Sequence, residues 1–314
     1  MDERLFARLG SLLGAEAVVL ASVLDTRGAT PRKSGSRMLI TATATEFSIG
    51  GGLAEAHVIE AAHALLAAAR GTQPFPRNRF SPAPSRWRVR SGERKPHSAD
   101  LSIDLTGRPG AVGVCGGTMH VHLRLWQGAG DRQKIRQIAD ELAAGRTVTF
   151  AHTDDDPESV ETLQPNARLL IIGAGHCGRA LHDLARHLDF DLWVQDARPA
   201  CFADAQEFID ATCVCGPLSE LERAFATARP VYAVLLNRDF AADIEALQFL
   251  ANRQLAFLGM MGSAKRIGEV LAAVPDLTAR LLELHAPVGI EIGAQSPHEI
   301  AVSILAQLIK FRRQ

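Results

Sequence analysis

The stretch Leu169-Leu170-Ile171-Ile172-Gly173-Ala174-Gly175-His176-Cys177-Gly178 reads as an apolar strand, a glycine turn and the first turn of a helix. Its glycines follow the pattern G-x-G-x-x-G. Gly173 permits the tight turn, Gly175 lets a phosphate approach the backbone, and Gly178 allows close packing of helix on strand, while the helix N-terminus offers free N–H groups and positive dipole. The pattern alone is weak, and its surroundings strengthen it. Asp196 ends the next strand-like run, 18 residues after Gly178, where a carboxylate is placed to bind ribose hydroxyls. His176 lies inside the loop and can hydrogen-bond a phosphate, although exposure in a loop explains it equally well.

Downstream, strands expected near 168–172, 191–195, 231–236 and 256–259 alternate with helical stretches near 176–188, 218–228, 239–252 and 263–273. Strict βαβ alternation implies a parallel sheet covered on both faces, a Rossmann-type nucleotide-binding domain over 168–314. The segment from Gly259 to Arg266 repeats the strand-turn-helix logic, with Ser263 and Lys265 as a second phosphate contact or, more plainly, a solvated basic first turn. Ser296, Pro297 and Glu299 form a capping box that opens the last helix.

Upstream, Val18 to Thr26 and Ser36 to Ile40 read as strands around the turn Gly28-Ala29-Thr30-Pro31-Arg32, and Leu53 to Arg70 as an alanine-rich helix. Residues 71–95 carry five prolines and little periodicity and read as a plain loop. Strands follow at 101–105 and 119–125, a helix at 131–144, and an acidic, proline-bearing linker over 153–167. The expected architecture is therefore α/β, with a smaller N-terminal α+β domain (1–152) ahead of the Rossmann-like one.

The N-terminal half holds two glycine clusters, Gly50-Gly51-Gly52 and Gly116-Gly117, whose successive N–H groups can converge into an anion nest. Cys115 abuts the second. It reads either as a nucleophile, persulfide carrier or soft metal ligand, or as a small core residue at a strand end. Arg32, Lys33 and Arg37 add positive charge near the first cluster unless they simply solvate a turn. His120 and His122 point the same way from one strand without a third ligand at a telling spacing, so surface or hydrogen-bonded histidines are expected. Cys213-x-Cys215 lacks the spacing of a zinc knuckle, and buried structural thiols are expected there.

With 34 basic and 35 acidic residues, the net charge of −1 offers no broad attraction for nucleic acid or an anionic membrane. There is no signal-peptide pattern at Met1 to Phe6 and no apolar stretch of membrane-spanning length; with five unframed cysteines, this implies a reducing, cytoplasmic setting.

Taken together, these motifs resemble the XdhC/CoxI family of xanthine dehydrogenase accessory proteins. The resemblance rests on Gly28 to Arg32, Ser48 to Glu55, Cys115-Gly116-Gly117, the glycine loop, Asp196-Ala197-Arg198-Pro199, Gly259 to Ser263, Ala286 to Ala294 and Ser296 to Ile304, in family order along nearly the whole chain. Asn237-Arg238-Asp239-Phe240 and Gln307 depart from the family pattern. The resemblance implies a chaperone rather than a turnover enzyme. It would bind molybdenum cofactor (molybdopterin), hold it while a cysteine desulfurase supplies a terminal sulfur, and pass it to apo-xanthine dehydrogenase. Cys115, Gly116, Gly117 and Gly50 to Gly52 would then serve the metal and phosphate, and Gly173, Gly175, His176, Gly178, Asp196, Ser263 and Lys265 the phosphate or nucleotide end. A homodimer is compatible with the family, though no sequence feature speaks for one. An NAD(P)-dependent oxidoreductase uses the same loop and is the alternative; a scaffold without ligand is a third reading.

Overall fold

A computed structural model describes residues 2–71, 85–92, 95–152, 159–204, 206–277 and 283–312. The chain divides into two compact units, one of residues 2–143 and 147–164, the other of 144–146 and 165–314.

In the first unit, α1 (Asp2–Leu12) leads into β1 (Val18–Arg27), β2 (Arg37–Ile40), β3 (Thr45–Phe47) and α2 (Gly52–Arg70). Then come β4 (Ser85–Gly92), β5 (Lys95–Asp104), β6 (Thr118–Trp126) and α3 (Gly128–Ala143). The six strands form an antiparallel sheet in the order β3-β2-β1-β6-β5-β4. Helix α2 covers one face through Val58, Ala61, Ala62 and Leu65, packed on Val19, Met38, Ile40 and Leu123. The other face is closed by Leu5, Phe6 and Leu9 of α1 and Ile135, Ile138 and Leu142 of α3. Phe150 and Leu163 complete that layer from the antiparallel pair β7 (Val148–Ala151) and β8 (Val160–Leu163), so a strand lies within the stretch read as linker.

The region 71–95, read as a loop, contains β4, which pairs with β5 along its whole length; residues 72–84 and 93–94 lie outside the described residues. The arginine-rich, proline-flanked composition masked an edge strand, where one side of the backbone needs no partner strand.

The second unit carries β9 (Ala167–Ile172), α4 (His176–Ala185), β10 (Phe190–Asp196), β11 (Ala211–Cys215), the short α5 (Glu222–Phe225) and β12 (Val231–Leu235). It continues through α6 (Phe240–Leu250), β13 (Phe257–Met260), α7 (Ala264–Ala273), β14 (Leu284–His285) and α8 (Pro297–Arg312). All pairings are parallel, in the order β11-β10-β9-β12-β13-β14. Numbered from β9, that is 3-2-1-4-5-6, the doubly wound order whose reversal point lies between the first and fourth strands. Every residue of β9 is buried, as expected of a central strand with both faces covered. Residues of α4 and α8 join the core on one face, and those of α6 and α7 the core on the other.

Cys213 and Cys215 are exposed, not buried: they alternate with buried Val214 on β11, the edge strand of this sheet. Among the described residues, no helix is long and apolar enough to cross a membrane.

Candidate functional site

Strand β9 delivers the chain to the reversal point, and Gly173 turns it. The Gly173 N–H donates to the Gln195 carbonyl at 2.8 Å, and the Ile172 carbonyl accepts the Leu236 N–H at 2.8 Å, so β10 and β12 hold the turn from either side. Gly173 has φ +110°, and a Cβ there would lie 2.9 Å from the Leu236 carbonyl carbon. Gly175 caps α4 without a side-chain hydrogen bond, which leaves the first N–H groups of the helix open to an anion. His176 is exposed at that end.

Asp196 sits where expected, at the carboxyl end of β10, but its carboxylate is already engaged. Oδ2 accepts the Ala174 N–H at 2.8 Å and Arg198 Nη2 at 2.6 Å; Oδ1 accepts the Arg198 N–H at 2.9 Å and Arg198 Nε at 2.8 Å. Burial opposes the negative charge. The Arg198 guanidinium, with the Arg198 and Ala174 N–H groups, outweighs burial and holds the carboxyl at about 2.

Two cavities flank this pair. The larger, about 490 Å³, is lined by Gln195, Asp196, Arg198, Gly216, Asn237 and Arg238 among others. A smaller one, about 190 Å³, opens over the loop and is lined by Gly175, His176, Cys177, Arg179, Arg198 and Arg238 with four further residues. Arg198 and Arg238 thus border both. Neither stood out from the glycine spacing; the signal available was a basic residue two positions after Asp196 and another just past the end of β12. Ser263 and Lys265 line neither cavity. Ser263 caps α7 by accepting the Arg266 N–H, and Lys265 is exposed with its nearest carboxylate, Glu269, 4.0 Å away.

Within the N-terminal unit, three motifs far apart in sequence are packed together. A Cβ on Gly28 would stand 2.8 Å from the Gly116 carbonyl oxygen, and one on Gly117 would clash with the carbonyls of Arg27 and Ala29. Gly50 in turn abuts Pro31 and Arg32. The turn at 28–32 is therefore wedged between the two glycine clusters, beside Cys115, which is exposed. The N–H groups of the clusters are partly committed. Gly50 N–H donates to Ser48 Oγ at 3.0 Å and Gly51 N–H to Glu55 Oε2 at 2.9 Å, so the Glu55 carboxylate occupies the first concavity from within. Gly116 N–H donates to the Leu105 carbonyl at 2.7 Å.

Arg37 does not serve this cluster. It is 2% exposed, with Nη1 on Asp2 Oδ1 at 2.6 Å and Nη2 on Glu161, because β2 turns it into the layer under α1. His122 is buried too, with Nδ1 2.7 Å from Asp100 Oδ1. Among the described residues there is no group of three or more His, Cys, Asp or Glu arranged to hold a metal.

Comparison with known proteins places both units. Residues 169–308 match the XdhC Rossmann domain and residues 12–76 the XdhC and CoxI family. The chain is 26% identical over 301 residues to the uncharacterized protein YqeB of Escherichia coli, covering 93% of this chain but only 43% of that one. It is 26% identical over 341 residues to a probable xanthine dehydrogenase component of Bacillus subtilis, covering 95% and 94%. Among solved structures, a xanthine dehydrogenase from Bacillus halodurans shares the fold, with TM-score 0.76 at 24% identity over 99% of this chain and 96% of that one.

Proposed function

This chain belongs to the XdhC and CoxI family, and on that premise we propose that it is an accessory protein of a xanthine dehydrogenase. It receives molybdopterin-bound molybdenum as cargo, holds it while a cysteine desulfurase supplies the terminal sulfur, and passes it to the apoenzyme. The observation that supports this most is the packing of the 28–32 turn against both glycine clusters, with Cys115 exposed beside them. An exposed thiol at a rigid backbone wedge suits a sulfur-loving metal, which needs a soft ligand in a fixed position. The C-terminal unit contributes a phosphate-binding helix end at Gly175, ready for the phosphate of the cargo or for a nucleotide.

Much of this proposal rides on Cys115. Cys115→Ala should retain the fold, because an exposed side chain carries little packing, yet lose most bound molybdopterin and most of the sulfurated xanthine dehydrogenase formed in a reconstitution with desulfurase. Wild-type levels of both would remove Cys115 from the function.

A further inference from the structure

The carboxylate of Asp196 has about four acceptor positions, and four protein donors fill them: the N–H groups of Ala174 and Arg198 and the Nε and Nη2 of Arg198. A free ribose diol at the end of β10 requires a vacant acceptor, and this carboxylate has none to give. Its partner is in the opposite condition. Arg198 spends two of its five N–H donors on Asp196, its side chain is 64% exposed, and it borders both cavities. Arg238 borders both as well, and no ion pair engages its side chain among the described residues. Two carboxylates share the larger lining. Asp239 is committed to capping α6 through Ala242 N–H, and Glu245 lies one turn further along that helix. The ribose edge of this site is therefore rich in donors and poor in acceptors.

We infer that the C-terminal unit is built for a nucleotide whose ribose carries a phosphate, with the phosphomonoester held by Arg198 and Arg238 and the 5′-phosphate at the Gly175 end of α4. The inference rests on reading the glycine loop as a ligand site and specifies its ligand. Asp196 acts as a positioning residue. It fixes the guanidinium fork by two hydrogen bonds, so the remaining N–H groups face the cavity with little entropy left to lose. The larger cavity has room for the base and ribose, and the smaller for the 5′-phosphate.

Calorimetric titration of the full chain with 2′,5′-ADP, 5′-AMP and inorganic phosphate provides the test. The expected result is 2′,5′-ADP binding at least tenfold tighter than 5′-AMP, and inorganic phosphate weaker than either. Arg198→Ala should abolish the preference by weakening 2′,5′-ADP while leaving 5′-AMP equal or tighter, since the Asp196 acceptors become free. Arg238→Ala should reduce the preference without strengthening 5′-AMP, and needs no change at Asp196 to be interpreted. Equal binding of the two nucleotides by the wild type, binding of neither, or inorganic phosphate as tight as 2′,5′-ADP overturns the inference. Retained preference in both variants also overturns it. Molybdopterin retention, measured on the same preparation, judges the accessory reading separately.

Discussion

A Cβ placed on Gly178 would run into the carbonyl oxygen of Gly173, well inside van der Waals contact, so α4 rests directly on the turn that precedes it. The obstacle is main chain and cannot rotate away. Gly178→Ala should therefore cost about 1–3 kcal/mol in urea unfolding, toward the upper end of the overpacking range, and lose nucleotide binding with it. Gly175→Ala is the contrast. Its Cβ meets only Arg198 Nη2, at 4.0 Å, and its φ of −75° suits any residue. It should change stability by under about 1 kcal/mol while still weakening phosphate binding, because the methyl group occupies the approach to the helix end. Equal stability loss in the two variants would contradict this division of labour.

The glycine loop, the alternation that follows it and the place of Asp196 were legible because each depends on local turn chemistry or on strict periodicity. What Asp196 does was not legible. Whether a carboxylate faces a ligand or a neighbouring guanidinium depends on side-chain geometry two residues away, which spacing does not encode. Cys213 and Cys215 misled for a related reason. An apolar alternating run looks the same whether its strand is central or at the edge, and only sheet order separates them. Arg37 was misplaced because a cation beside a glycine turn is ordinarily solvated, whereas here Asp2 and Glu161, distant in sequence, converge to pair it. The contact between the 28–32 turn and residues 116–117 likewise arises from the pairing of β1 with β6, a tertiary event.

His152 carries a pH dependence of its own. It is buried beneath the N-terminal sheet, edge-on to Phe150 at a centroid distance of 5.4 Å and with Nε2 3.4 Å from Glu161 Oε1. Burial, then the charges of Arg37, His122 and Arg124, push its pKa from 6.5 down to about 4. The native state therefore keeps the ring neutral while the unfolded chain protonates it. Stability contributed by the neutral ring is complete above pH 6.5 and is lost as pH falls toward 4, with a slope of at most about 1.4 kcal/mol per pH unit for one proton. Urea unfolding of wild type and His152→Gln between pH 7.5 and about 4 checks the sign. The wild type should lose more stability than the variant across that window, and parallel curves would show that His152 does not carry the linkage.

Arg266 ties the loop after β12 to α7, and its removal should expose how much the site depends on that tie. Its Nη2 reaches Asp243 Oδ2 at 2.5 Å, and its other contacts are the carbonyls of Arg238 at 2.6 Å, Asp239 at 3.0 Å and Asn237 at 3.4 Å. Asp243 is fully buried on α6, its Oδ1 has no hydrogen-bond partner among the described residues, and burial raises its pKa against the pull of Arg266. Arg266→Ala leaves that carboxylate without its cation and should cost about 3 kcal/mol. A carboxyl whose native pKa is raised stabilises the fold when protonated, so the deficit should be smaller at pH 5 than at pH 8. Asp243→Asn in the same background should recover part of it at pH 8 by removing the unpaired charge. Because the loop carries Arg238 to both cavities, nucleotide affinity should fall with Arg266→Ala even where the fold survives. A variant that keeps full affinity and a pH-independent deficit would mean that Arg266 neither neutralises Asp243 nor positions the loop.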